Sequence, residues 1–131
     1  MVKKNWIKNS LSFLNYLDNW LAELPSISLE SVISSPETTA VLSVDVTNGF
    51  CNTGPLASPR VNTIVEPVVD ILRRSWDMGV RKMALTQDAH EPDAVEFGQY
   101  PPHCIRGTEE AETVEKIRSL PFYSDIPVFT K

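Results

Sequence analysis

Long apolar runs, clustered basic residues, cysteine and histidine are all scarce in this chain. No run approaches the ~20 apolar residues of a membrane-spanning helix, so no membrane partner is expected. The net charge is −5 and no Lys/Arg cluster occurs, which argues against nucleic acid, whose phosphates need grouped cations. Two cysteines, Cys51 and Cys104, do not make the disulfide framework of a small secreted domain. Lys3 and Lys4 precede a moderately apolar stretch, but Asn9, Asn15, Asp18 and Asn19 interrupt it and leave no signal-peptide core. The expected location is therefore the cytoplasm. The two histidines, His90 and His103, fall in one short window.

What is present suffices for a modest core: 131 residues, 42% of them hydrophobic. Ile7, Leu11, Leu14, Leu17, Leu21 and Leu24 recur at three- and four-residue spacing, which predicts an amphipathic helix over residues 4–24, stopped by Pro25. Its polar face lacks the basic residues of a membrane-surface helix, so it is expected to pack on the domain or on a partner subunit. Residues 25–38 read as a Ser-rich linker with a turn of helix near Leu29–Ile33. These N-terminal residues, 1–38, form one expected segment and residues 39–131 the domain proper.

Within 39–131 the periods alternate. Ala40–Val46 is a Val-rich run expected to be a strand buried on both faces. Val61–Met78 follows a helical pattern with Pro67 inside it, so it is either kinked or begins near Val65. Gly79 suits a helix stop, and Lys82–Gln87 reads as a second strand. Glu109–Leu120 reads as a helix capped by Thr108, and Ile126–Thr130 as a third strand. Strand, helix, strand, helix, strand implies an α/β fold with a parallel sheet and flanking helices. Ligands of such sheets sit outside the carboxyl ends of the strands, where Asp45, Asp88 and Lys131 all fall.

The segment Thr86–Thr108 carries the chemistry. Asp88 and His90 are spaced to share a face of extended backbone, and Glu96 and His103 follow. Pro92, Gly98, Pro101 and Pro102 forbid a regular element between them, so a loop is free to fold the later pair back on the earlier one. Imidazoles and carboxylates without thiolate suit zinc, iron or manganese alike. Ordinary surface residues of a loop are the competing reading. Asp45 is either a loop-capping carboxylate or a general base, and Lys131 either a solvated lysine or its partner. Phe50 and Tyr100 are either packing residues or the walls of a pocket for a flat ring.

Taken together, four segments resemble the isochorismatase-like cysteine hydrolases, and within them the nicotinamidase branch. They are Val44–Cys51 with Gly54–Ala57, Thr86–Glu91, Pro101–Thr108 and Val128–Lys131, in the family's order and spacing. The resemblance spans about residues 39–131 and implies a Rossmann-like three-layer α/β/α fold, to which the helix at 4–24 is an addition. It implies a catalytic Asp at Asp45 and Lys at Lys131. It places metal ligands at Asp88, His90, Glu96 and His103, and pocket aromatics at Phe50 and Tyr100. The implied reaction is hydrolysis of a small amide such as nicotinamide to the acid and ammonia, with a divalent metal, zinc foremost, and a possible homo-oligomer.

Two departures accompany it. Gly49 stands where the family more often carries Asp. The family's nucleophilic Cys follows the Lys, after a further strand, and neither Cys51 nor Cys104 matches that place. The expectation is therefore the N-terminal part of a longer enzyme, inactive by itself. A hydrolase of another small substrate, such as isochorismate or a carbamoyl compound, and a non-catalytic metal-binding domain are the other readings.

Overall fold

The computed structural model describes residues 4–131, with side chains from Ser10 onward. The side chain of Ile7, counted above in the apolar stripe, lies outside the described residues. The chain divides into two compact units between Val32 and Ile33.

The first unit holds α1 (Lys4–Glu23) and the single turn α2 (Leu29–Val32), joined through Pro25. Pro25 ends α1 because a ring in place of the N–H cannot continue the ladder. Leu11, Leu14, Leu21 and Leu24 of the stripe are exposed.

The second unit is built on three parallel strands. They are β1 (Ala40–Val44), β2 (Lys82–Gln87) and β3 (Val128–Thr130), in the order β1-β2-β3. Short helices α3 (Asn48–Cys51) and α4 (Pro59–Asn62) follow β1. The long helix α5 (Val65–Asp77) returns the chain to β2. Proline decides where α5 starts: Pro67 sits in its first turn, where no intrahelical donor is needed. The Val61–Met78 pattern is thus two helices, broken at Thr63–Ile64, and the start near Val65 is the one realised.

Val69 and Leu72 of α5 and Met83 and Leu85 of β2 are core residues, all at most 5% exposed. Trp76 stacks on Phe122 with ring centroids 4.4 Å apart, and the Arg81 guanidinium lies 3.9 Å above the same indole.

Two expectations are corrected here. Residues 109–120 are not one helix. A 3-10 turn at Glu109–Ala111 gives way to extended backbone, and only Glu115–Arg118 forms a helical turn, α6. The reason is a competing partner. Thr113 bridges Thr47 in antiparallel fashion, Asn48 N–H donates to Glu112 O (2.9 Å) and Val114 N–H to Val46 O (3.2 Å). Thr113 also donates its hydroxyl to Gln87 Oε1 (2.8 Å). Thr108 does not cap with its side chain, which donates instead to Ile105 O (2.6 Å). Nor is β1 buried on both faces. Leu42 is 60% and Val44 54% exposed, while Ser43 between them, on the face toward α5, is buried.

Candidate metal centre and catalytic pair

Strand register brings the acidic and basic groups together. Asp45 N–H donates to Thr86 O (2.8 Å), one residue past the end of β1. Lys131 N–H donates to Gln87 O and Ala89 N–H to Lys131 O, both at 3.1 Å, so the β2–β3 ladder runs on past β3. Asp45, Asp88 and Lys131 thus stand side by side at the carboxyl edge. Lys131 Nζ lies 3.1 Å from Asp45 Oδ2 and bonds Asp88 Oδ1. These two carboxylates hold the ammonium charged and push its pKa up, the hydrogen bond to Asp88 most of all.

Asp45 itself has φ 58°, left-handed backbone that Asp tolerates better than most residues, at a cost of about 1 kcal/mol. Its Oδ2 faces the lysine while its buried Oδ1 has no hydrogen-bond partner. A buried carboxylate oxygen without a donor is costly, and such strain gathers at functional positions.

A second ladder closes the loop beyond β2. His90 N–H donates to Cys104 O (3.0 Å) and Arg106 N–H to His90 O (2.8 Å), a parallel bridge of His90 with Ile105. The Arg106 guanidinium clamps it further, donating to Ala89 O (2.9 Å) and Glu91 Oε1 (2.8 Å). His90 and His103 are therefore drawn face to edge, with ring centroids 4.9 Å apart.

One ligand atom from each of Asp88, His90 and His103 lies within 4.8 Å of the other two. Glu96 Oε1 reaches between the imidazoles, 3.1 Å from His90 Nε2 and 3.3 Å from His103 Nε2. His103 Nδ1 lies 2.9 Å from Pro101 O, so a proton there leaves the Nε2 lone pair facing the cluster. His90 Nε2 is buried and out of line for a hydrogen bond with either carboxylate. Two imidazole nitrogens, one of them orphaned, converging with carboxylates on one point are a donor set that fits a divalent cation. These residues can hold a metal ion.

The aromatic residues divide. Phe50 stands beside the site, its ring 5.9 Å from that of His103. Tyr100 is 56% exposed in the loop after Glu96. Phe97, which sequence reasoning passed over, packs edge-on against both imidazoles at 5.6 Å. Its signal was its place directly after Glu96. The two thiols lie beneath the site rather than in it: Cys104 is fully buried and Cys51 3% exposed. Burial pushes both thiols' pKa values up, and at Cys104 the charges of Asp88, Glu110 and Asp45 add to it. The Gly49 departure has its cause here. A Cβ at Gly49 would lie 2.5 Å from Cys104 Sγ and 3.0 Å from Glu110 O.

No family model matches the chain. A curated protein, Nicotinamidase 1 of Arabidopsis thaliana, is 34% identical over 95 residues, covering 68% of this chain and 38% of that protein. Among solved structures, the pyrazinamidase of Pyrococcus horikoshii in complex with zinc is 27% identical with a TM-score of 0.60, over 70% of this chain and 50% of that one. The N-carbamoylsarcosine amidase of Thermoplasma acidophilum is 26% identical, again with TM-score 0.60 and the same coverages. Over about 70% of its length the chain is similar in sequence and fold to these nicotinamidase-type amidases. It spans about half the length, or less, of the relatives it matches. The three-stranded parallel sheet of this isochorismatase-like chain, with its flanking helices, is the fold they share.

Proposed function

We propose that this chain is the metal- and base-bearing part of an amidohydrolase of nicotinamidase type, converting nicotinamide to nicotinate and ammonia. The observation that carries the reading is the pairing of Asp45 with Lys131 directly beside the Asp88–His90–His103 cluster. Asp45 Oδ1, free of any donor, is the general base that accepts the proton of an attacking thiol. Lys131 stays charged beside it and favours the thiolate over the thiol. Neither thiol of this chain is that nucleophile, since both are buried and held toward the neutral form. The thiol is supplied by polypeptide corresponding to the half of the relatives that the match leaves uncovered.

Asp88, His90 and His103, with Glu96, would hold the metal, zinc foremost with iron and manganese as the other fits. When bound, it supplies a Lewis-acid contact for a ring nitrogen. Phe50 and Phe97 wall the place where the ring would lie, and Tyr100 would close its outer side. The likeness to the N-carbamoylsarcosine amidase, equal in TM-score to the pyrazinamidase, favours a second reading: another small amide or carbamoyl substrate in the same site. A cytoplasmic location and self-association belong to the same proposal. Among the described residues no helix is long and apolar enough to cross a membrane.

The test is ammonia release from nicotinamide and from N-carbamoylsarcosine. The chain is assayed alone and joined to the uncovered half of the Pyrococcus horikoshii pyrazinamidase. The chain alone should show no turnover. The joined protein should release ammonia from nicotinamide, and His103→Ala or chelation should abolish it. Turnover that survives both changes would contradict the reading, and preference for the carbamoyl compound would favour the second.

A further inference from the structure

Helix α1 carries its charges in the wrong order for a helix that stands alone. Its bases, Lys4 and Lys8, fall in the first two turns, and its acids, Asp18 and Glu23, in the last two. The first turn holds no acid and the last turn no base. The helix dipole favours the reverse order, so each end of α1 carries charge of the sign that its own dipole disfavours. A helix of this length is in any case marginal in water without tertiary packing. Yet the apolar stripe is uncovered. Leu11, Leu14, Leu21 and Leu24, with Phe13 and Trp20 on its flank, are between 48 and 60% exposed.

We infer that α1 pairs with α1 of a second copy of this chain, lying antiparallel. The stripe reads nearly alike in both directions. A two-fold axis midway between positions 14 and 17 sets Leu14 level with the partner's Leu17 and position 7 level with the partner's Leu24, so the two stripes overlie along their whole length. The same operation sets position 8 level with the partner's Glu23. The basic end of each helix then lies alongside the acidic end of the other, and the two dipoles oppose. A parallel pair would set base beside base and acid beside acid. A membrane surface is a poorer occupant, because Asn15, Asp18, Asn19 and Glu23 stand where such helices carry bases. The exposed stripe offers roughly 600 Å² per copy, somewhat below the ~800 Å² of a standard interface, so the dimer is reversible. This pairing gives the self-association proposed above its surface, and it stands apart from the amidase reading.

Sedimentation equilibrium of the whole chain at low salt, from about 1 μM to about 1 mM, should show a monomer–dimer equilibrium. Leu14→Asp with Leu21→Asp should abolish it. Lys4→Glu with Lys8→Glu should weaken it at least about fivefold, by setting acid against acid. Loss of lone-helix stability would not produce that weakening, since acids near the N-terminus stabilise a helix. Adding Asp18→Lys with Glu23→Lys should restore the dimer. A chain monomeric throughout that range would overturn the inference. So would a dimer indifferent to the leucine changes, one that the first charge reversal leaves unchanged or tightens, or one that the second reversal fails to restore. Ammonia release by the joined protein is measured separately. A dimer without amidase activity leaves the pairing intact and removes the amidase reading, and activity in a monomer does the reverse.

Discussion

Gly49 shows how a single position records the packing beneath the site. Its missing side chain makes room for Cys104, whose backbone, at φ 43°, is itself held in the left-handed region. Cys104 in turn donates its backbone N–H to Glu110 Oε2 (3.1 Å). Gly49→Ala should therefore destabilise the chain by about 1–3 kcal/mol in urea unfolding, as overpacked cores do. Adding Cys104→Ala should recover part of that loss and not all, because Glu110 O remains 3.0 Å from the new methyl. No recovery would place the clash elsewhere. From the sequence Gly49 was only a mismatch with a family pattern. The thiol that explains it is fifty-five positions away in the chain and is brought near by the Thr47–Thr113 bridge. His90 and His103 were legible for the opposite reason, since rare residue types in one window need only a loop to meet.

Elements were legible where one local signal governed them. The Val-rich and apolar runs became β1 and β2, and Pro25 and Pro67 set helix ends. They failed where a distant strand competed. Acidic residues and a Thr at 108 are good helix-start signals, yet residues 112–114 pair with 46–48 instead. The exposure of Leu42 and Val44 was equally hidden, because an apolar run states what could be buried and not what covers it. The single turn α6 is too short to persist by propensity and is held by burial of Ile117, which is fully enclosed. Ile117→Ala should cost about 2–5 kcal/mol by chemical denaturation, while Glu109→Ala on the exposed 3-10 turn should change stability by less than about 0.5 kcal/mol. Comparable effects at the two positions would mean that local propensity, not packing, forms the segment.

At the scale of the molecule, three parallel strands converge their ends on one small area. One side of that area holds Asp45 with Lys131, and the other holds Asp88, His90 and His103 with Glu96. Asp88 belongs to both, one oxygen toward Lys131 and the other 3.6 Å from His90 Nε2. The metal centre proposed above requires that the imidazoles of His90 and His103 share one ion. Calorimetric titration of zinc into the chelator-stripped chain tests this most directly. It should show one zinc per chain, with affinity lowered at least about tenfold in both His90→Ala and His103→Ala. Absence of binding, or binding unchanged in the two variants, would contradict it.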